Sequence, residues 1–166
     1  MPKVAIYPGS FDPVTYGHLD IIKRSLDIFD KIIIAVIRHP QKTHLFTLKE
    51  RVQMLESVTK GLKNVKVESF DGLLMDYVKA KKTHIVIRGL RAISDFEYEL
   101  QMVLMNRRLN NNIDTIFLMP EERYSYLSSS LVKEIAGAGG KVALFVPPLV
   151  EKALRQKFSF DKSAKR

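Results

Sequence analysis

A strand-to-helix turn is predicted at Tyr7-Pro8-Gly9-Ser10-Phe11-Asp12-Pro13-Val14-Thr15-Tyr16-Gly17-His18. The apolar run at 3–7 has the length of a strand, and apolar residues recur at helical spacing behind the turn: Leu19, Ile22, Leu26 and Phe29. His18 is therefore expected in the first turn of a helix, where free N–H groups and the positive end of the helix dipole favour an anion. Gly9 and Gly17 would let the backbone approach a ligand closely. The turn therefore predicts a phosphate-binding site.

The length of 166 residues is enough for one domain with its own hydrophobic core. The chain has no Cys, which excludes disulfides, thiol nucleophiles and Cys-ligated zinc. We expect a single domain over residues 1–158 and a basic, flexible tail at 159–166, because residues 151–166 hold six Lys or Arg and two Asp or Glu.

The net charge of +9, from 27 Lys and Arg against 18 Asp and Glu, favours anionic partners. It does not distinguish a nucleotide from a nucleic acid or an acidic lipid. The longest apolar runs, at 32–37 and 142–150, are too short to span a bilayer, and residues 1–7 lack the features of a signal peptide. A cytoplasmic protein without a membrane partner is expected.

Strand-like runs at 4–7, 32–37, 65–70, 84–87 and 115–118 alternate with helical patterns. This alternation predicts an α/β fold, a Rossmann-like, doubly wound five-stranded parallel sheet in a single domain. Several residues predict where helices begin and end: the capping boxes Thr47-x-x-Glu50 and Ser94-x-x-Glu97, the C-caps Gly61 and Gly137, and Pro148 in a first turn.

Ligands of a doubly wound sheet bind beyond the carboxyl ends of its strands. The residues that follow the five strands should therefore converge on one edge: Ser10, Arg38 with Lys42, and the segments 72–74, 88–91 and 124–130. Neither GxGxxG nor GxxxxGK[ST] occurs, so a dinucleotide fingerprint and a Walker-type phosphate loop are excluded. The glycine-rich segment 137–141 follows a helix and is interpreted as a helix stop.

Two segments have the chemistry of a phosphate site. Arg88-Gly89-Leu90-Arg91 leaves a strand with two guanidinium groups, which grip phosphate oxygens in a forked geometry. Ser128-Ser129-Ser130 opens a helix and supplies hydroxyls and N-terminal amides for a triphosphate. Taken alone, the serines would be interpreted as a polar loop with an N-cap, and a lone arginine as a surface charge.

The pattern Gly-Ser-Phe-Asp-Pro followed by Thr15-x-Gly17-His18 resembles the T/HxGH signature of the nucleotidyltransferase superfamily. Over residues 4 to about 150 the chain is similar to the phosphopantetheine adenylyltransferase family of coenzyme A biosynthesis. Further matching segments are Phe-Thr-Leu-x-Glu-Arg at 46–51, Ile-Arg-Gly-Leu-Arg, Asp-Phe-Glu-Tyr-Glu and Ser-Ser-Ser-Leu-Val-Lys-Glu. The resemblance implies transfer of an adenylyl group from ATP, bound with Mg²⁺, to phosphopantetheine, giving dephospho-coenzyme A and pyrophosphate. It also implies a homohexamer, and we expect coenzyme A to inhibit at the acceptor site.

The resemblance assigns roles to individual residues, with His18 as the catalytic residue at the α-phosphate. ATP would be bound by loop residues: Ser10, Phe11, His18, Gly89, Leu90, Arg91, Glu99, Tyr124, Ser125, Tyr126, Leu127, Ser128, Ser129 and Ser130. Phosphopantetheine would be bound by Ser10, Lys42, Leu74 and Arg88. No metal-binding side chain is implied. The chain departs from the family at Thr43 and His44, where Lys and Pro are common, which bears on how tightly the acceptor phosphate is held.

Three alternatives remain at this point. A pyridine-nucleotide adenylyltransferase or a cytidylyltransferase would share the fold and Thr-x-Gly-His. Lys133 argues against the former, in which Arg is expected, and residues 72–74 resemble a pantetheine-binding loop. A nucleic-acid-binding module would explain the net charge, but Tyr and Phe lie mostly within apolar patterns, so no nucleic-acid partner is expected. His39, His44 and His84 have no metal-ligand spacing.

Overall fold

The computed structural model describes residues 2–38, 43–91 and 93–163, and within these ranges the side chains outside 93–95 and 160–163. Lys42 and His39 lie outside the described residues. The elements, in chain order, are β1 (Val4–Gly9), α1 (Tyr16–Leu26), β2 (Lys31–Ile37), α2 (Leu48–Thr59), β3 (Val65–Phe70), α3 (Leu74–Ala80), β4 (Ile85–Gly89), α4 (Ile93–Leu109), β5 (Asp114–Leu118), a 3-10 turn (Glu122–Tyr124), α5 (Ser129–Gly137) and α6 (Pro148–Ser163).

The five strands form one sheet in the order β3-β2-β1-β4-β5, and every pairing is parallel. The chain first builds outward from β1 through β2 to β3, and then crosses to the other side of β1 to add β4 and β5. The predicted Rossmann-like, doubly wound fold is therefore confirmed. The strand order reverses between β1 and β4, which is where such sheets bind ligands.

Both faces of the central strands are buried. Ala5 and Tyr7 of β1 pack in a core with side chains of α1, α2, α5 and α6, whereas Ile6 packs on the opposite face with Met75 and Val78 of α3. Burial on both faces explains why β1 and β2 are almost continuously apolar rather than alternating.

β1 and β4 extend two residues further than predicted, to Gly9 and Gly89, because both ends remain paired with neighbouring strands. Arg88 therefore lies in β4, opposite Phe117, and not in the following loop. Its backbone is held by the sheet, which fixes where the guanidinium group starts from.

The helix ends agree with two of the predicted caps, whereas Lys60, and not the predicted Gly61, is the C-cap of α2. Thr47 and Glu50 form the predicted capping box of α2, and Pro148 is the first residue of α6. The side chain of Ser94 lies outside the described part of the chain. The C-cap prediction for Gly137 is wrong: Gly137 is the last helical residue of α5, and Gly139, with φ of 84°, adopts the left-handed conformation that ends the helix.

The last helix continues through Ser163, so residues 159–163 of the predicted tail extend α6. The boundary between domain and tail stays a prediction. None of the helices within the described ranges has the length and apolar character needed to cross a membrane.

Candidate active site

A cavity of about 710 Å³ opens beside the carboxyl ends of β1 and β4, where the strand order reverses. Segments far apart in the sequence contribute to its wall. The predicted site residues that line it are Ser10, Phe11, His18, Arg88, Gly89, Arg91, Glu99, Tyr124, Leu127, Ser128, Ser129 and Ser130. The fold therefore brings most of the predicted residues together.

The β1–α1 turn places His18 at the third position of α1. Thr15 is the N-cap, and its hydroxyl accepts a hydrogen bond from the His18 backbone N–H at 3.4 Å. The His18 Nδ1 atom in turn accepts one from the Thr15 backbone N–H at 3.0 Å. This reciprocal pair is a capping box in which histidine takes the place of the usual Glu or Gln.

The capping box sets the tautomer of His18. Because Nδ1 accepts a hydrogen bond from a backbone N–H, the ring proton must sit on Nε2 when the imidazole is neutral. Burial, with the positive charges of Arg91 and Arg88 adding to it, lowers the pKa of His18 to about 4. His18 is therefore a neutral hydrogen-bond donor at pH 7, in line with the helix dipole, which disfavours a protonated ring at this position.

Phe11 packs behind His18. Its ring meets the imidazole edge-on, with centroids 5.0 Å apart, and meets the Tyr7 ring at 5.4 Å. A methyl group on Gly9 would lie 3.0 Å from two carbons of the Phe11 ring. The Phe11 ring therefore occupies the space that a side chain at position 9 would need, while Gly9 itself lines the cavity. The close approach of its backbone to a ligand stays a prediction.

Three hydrogen bonds within the protein orient Arg88. Its Nε donates to Glu99 Oε2 at 2.7 Å, its Nη2 donates to Glu99 Oε1, and its Nη1 donates to the Pro8 carbonyl at 3.1 Å. Glu99 lies on α4 and is 8% exposed. The resemblance assigns Glu99 to ATP, but its carboxylate here contacts Arg88.

The first turn of α5 forms another part of the cavity wall. Ser128 is the N-cap and accepts from the Leu131 N–H at 3.1 Å, while the Ser129 hydroxyl donates to the Pro13 carbonyl at 2.7 Å. The N–H groups of a helix's first turn have no intrahelical acceptor and are suited to phosphate oxygens. Arg91 Nη1 donates to the Leu127 carbonyl at 3.1 Å, which places a guanidinium group beside this turn.

Four described residues of the predicted site do not line this cavity. Leu74 packs at the edge of the core on the α3 face, and the Leu90 N–H pairs with the Leu118 carbonyl at 3.0 Å. The Ser125 hydroxyl donates to the Glu122 carbonyl, and Tyr126 is exposed. The segment 72–74, predicted to grip pantetheine, therefore lies outside the cavity wall.

Sequence reasoning missed two charged residues of the wall, Asp12 and Lys133, which pair at 2.9 Å. Asp12 lies inside the strand-to-helix turn at 7–18, and Lys133 serves in the sequence argument only against a pyridine-nucleotide adenylyltransferase. Arg51 was also missed: it is 2% exposed and its Nη1 donates to the Ser10 carbonyl at 2.7 Å. The sequence feature that could have identified Asp12 and Arg51 is a charged residue within an otherwise apolar or glycine-rich motif.

Known proteins match this chain over most of its length. The cytidylyltransferase-like family model matches residues 6–135. A phosphopantetheine adenylyltransferase of Thermodesulfovibrio yellowstonii is 59% identical over 95% of this chain and 99% of its own. Proteins of the same name from Caldanaerobacter subterraneus and Geobacter sulfurreducens are 56% and 54% identical, over 94% and 95% of this chain and 98% and 96% of theirs.

Solved structures show the same fold at low identity. The nicotinic acid mononucleotide adenylyltransferase of Plasmodium falciparum, complexed with NaAD, has a TM-score of 0.69 at 16% identity, covering 95% of this chain and 97% of its own. The lipopolysaccharide core biosynthesis protein of Thermoplasma volcanium has a TM-score of 0.53 at 20% identity, covering 73% and 98%. Since curated relatives match at more than half identity over nearly their full length, the chain belongs to the phosphopantetheine adenylyltransferase family, within the nucleotidyltransferase superfamily.

Proposed function

We propose that this protein transfers the adenylyl group of ATP to phosphopantetheine, giving dephospho-coenzyme A and pyrophosphate. One observation carries the proposal. A neutral imidazole, two guanidinium groups and the first turn of α5 surround one cavity at the switch point of the sheet. Membership of the family supplies the identity of the acceptor.

The chemistry is a displacement at the α-phosphorus of ATP. An oxygen of the acceptor phosphate forms a bond to that phosphorus while the bond to the pyrophosphate oxygen breaks. Both reactants are anionic, so repulsion opposes their approach. Such transfer depends mainly on positioning and on stabilising the developing charge, and orientation alone contributes roughly 7–11 kcal/mol.

The cavity wall offers matched partners for each anion. We assign the Nε2–H of His18 to an α-phosphate oxygen, and Arg91 with the first turn of α5 to the β- and γ-phosphates. A neutral hydrogen-bond donor such as His18 suits this role, because it stabilises negative charge on the α-phosphate that appears only in the transition state. The proposed ATP site also includes six other residues of the cavity wall: Ser10, Phe11, Gly89, Glu99, Tyr124 and Leu127. Leu90, Ser125 and Tyr126, which do not line the cavity, are kept as proposed contacts on the strength of the resemblance alone.

Arg88 is assigned to the acceptor phosphate, together with Ser10 and Lys42. The contacts with Glu99 and the Pro8 carbonyl fix the orientation of the Arg88 guanidinium group before a substrate arrives. A preoriented guanidinium group loses less freedom on binding, which favours alignment of the nucleophile. Leu74 is kept as a contact for the pantetheine arm, which would have to extend beyond the described cavity wall.

Mg²⁺ is proposed to enter with ATP. The two buried carboxylates of the wall, Asp12 and Glu99, are already paired with Lys133 and Arg88, so phosphate oxygens are the donors that remain for a hard cation. The described residues include no group of three or more His, Cys, Asp or Glu placed to hold a metal ion. Bound Mg²⁺ would neutralise charge on the departing pyrophosphate.

A homohexamer in the cytoplasm remains part of the proposal. α4 exposes apolar side chains along its length, among them Leu104 and Met105, which are 55% and 64% exposed. A helix that is apolar on more than one side is normally covered by a partner. Analytical ultracentrifugation tests the assembly: a sixfold mass supports it, and a monomer contradicts it.

Acceptor choice tests the activity. Pyrophosphate release is measured with Mg-ATP and, in turn, phosphopantetheine, nicotinamide mononucleotide and glycerol phosphate. Turnover with phosphopantetheine should far exceed that with the other two acceptors. Comparable turnover with nicotinamide mononucleotide would contradict the assignment, and tight, sequence-selective nucleic-acid binding at physiological salt without transfer would favour the binding-module alternative.

Coenzyme A is proposed to inhibit at the acceptor site, because it retains the pantetheine arm. Inhibition should be competitive with phosphopantetheine. Inhibition that persists unchanged at saturating phosphopantetheine would indicate a separate regulatory site.

A further inference from the structure

Asp12 is a buried carboxylate in the cavity wall with three hydrogen-bond donors around it. Its Oδ1 accepts from the Phe46 N–H at 2.9 Å, and its Oδ2 accepts from the Leu45 N–H at 3.0 Å and from Lys133 Nζ at 2.9 Å. Asp12 is 4% exposed. Burial alone would raise the pKa of Asp12, but the hydrogen bonds from Lys133 and the two amides hold it below its usual value. The carboxylate is therefore ionised at pH 7.

These contacts join three segments that form different parts of the wall. Asp12 lies in the β1–α1 turn, two residues after Ser10. Leu45 and Phe46 lead into α2 and follow, by three and four positions, the lysine expected to bind the acceptor phosphate. Lys133 lies on α5, one turn beyond the serines expected to bind the triphosphate.

Arg51, on α2, bridges the ends of two neighbouring strands. Its Nη1 donates to the Ser10 carbonyl at 2.7 Å and to the Ile37 carbonyl at 3.1 Å, so it links the ends of β1 and β2. Burial lowers the pKa of Arg51, and the negative charge of Asp12 partly offsets this effect. Two buried charges therefore brace the junction between the acceptor side and the β1–α1 turn.

We propose that Asp12 is a positioning residue for adenylyl transfer, which holds the acceptor-side segment 43–46 and Lys133 in register with the β1–α1 turn. The inference rests on the proposed function. In-line transfer is sensitive to small displacements, and a shift of about 1 Å between reacting groups can cost about 100-fold in rate. Asp12 acts on the reaction only through the segments that it holds.

The test is Asp12→Asn, which keeps the shape of the side chain but removes its charge and turns an amide NH₂ toward surrounding donors. We expect kcat/KM for phosphopantetheine to fall by about 10- to 100-fold. The Kd of ATP, measured by equilibrium binding without acceptor, should stay within about threefold of wild type, because the first turn of α5 and Arg91 are retained. A loss of fold alone would not separate the two substrates in this way.

Glu50→Gln is the matched control. Glu50 also accepts from a backbone N–H, that of Thr47 at 2.7 Å, and pairs with a lysine, Lys157, at 2.9 Å. It lies on α2, just beyond Phe46, but does not line the cavity. This variant should lose stability while kcat/KM for both substrates stays within about threefold of wild type.

Lys133→Met keeps the test decisive if Asp12→Asn does not fold. It leaves both amide contacts of Asp12 in place, and we expect a smaller fall in kcat/KM for phosphopantetheine, about tenfold, with recovery in Lys133→Arg. The inference is overturned if Asp12→Asn loses stability without a kinetic change, if ATP affinity falls as much as acceptor use, or if Lys133→Arg is no better than Lys133→Met. Failure of the proposed function is distinguishable, because wild-type protein would then not adenylylate phosphopantetheine.

Discussion

Replacing His18 by Ala should lower kcat by about 10²–10³, or roughly 2.7–4 kcal/mol, by analogy with the loss of one preorganised donor from an oxyanion site. The Nδ1 atom is held by the Thr15 N–H, so Nε2–H is the donor that the substitution removes. The KM for ATP should change much less, because Arg91 and the first turn of α5 still hold the ground state.

The same substitution should also destabilise the fold slightly, since it removes half of the α1 capping box. The expected cost is about 1 kcal/mol in the free energy of unfolding, measured with urea. His18→Gln is the matched control, because Gln at the third helical position also reaches back to the N-cap amide. It should recover the stability while its kcat remains low.

Pyrophosphate release at saturating substrates gives kcat, and the pH profile of kcat/KM for ATP reports the ionisation of the free enzyme. With a pKa of about 4 for His18, the profile should contain no contribution from its protonation at neutral pH. Subtracting the His18→Gln profile removes the contribution that ionisation of the substrates makes to the pH dependence. The reasoning is refuted if the profile requires a protonated His18, or if His18→Ala raises the KM for ATP while kcat is unchanged.

Three further predictions follow from the packing, the charges and the chain end. Gly9→Ala should destabilise the fold by about 1–3 kcal/mol in urea unfolding, because its methyl group would meet the Phe11 ring at 3.0 Å, and it should lower kcat through the contact of that ring with His18. Burial would raise the pKa of Glu68, but hydrogen bonds from Lys66, Lys81 and Tyr77 lower it to about 2. The ionised carboxylate should therefore stabilise the fold at neutral pH, and this stabilisation should be lost as the pH falls toward 2. In urea titrations at acid pH, Glu68→Gln should lose less stability than wild type, and an identical loss would contradict the assignment. Removal of residues 159–166 should leave kcat nearly unchanged, since the cavity lies elsewhere, and a large loss of activity would show a catalytic role for the end of α6.

Much of the fold and part of the site follow from local sequence patterns. The alternation of apolar runs with helical spacing predicts a parallel sheet, and Thr15 with His18 and Thr47 with Glu50 mark helix starts within a span of four residues. These features depend on hydrogen bonds and periodicity between near neighbours. The same holds for the serines at the start of α5.

The pairing of distant charges was decided by the tertiary structure. Asp12 and Lys133 are 121 positions apart and meet at 2.9 Å. Glu99, which the resemblance assigns to ATP, accepts hydrogen bonds from Arg88. Tertiary packing also determines that Gly9 makes room for Phe11. A local pattern specifies which residues can form a helix, a strand or a cap, whereas a contact between distant side chains depends on the path of the whole backbone. A buried charge is stable only when it is paired or hydrogen-bonded, and the sequence shows which residues are charged but not which of them are brought together.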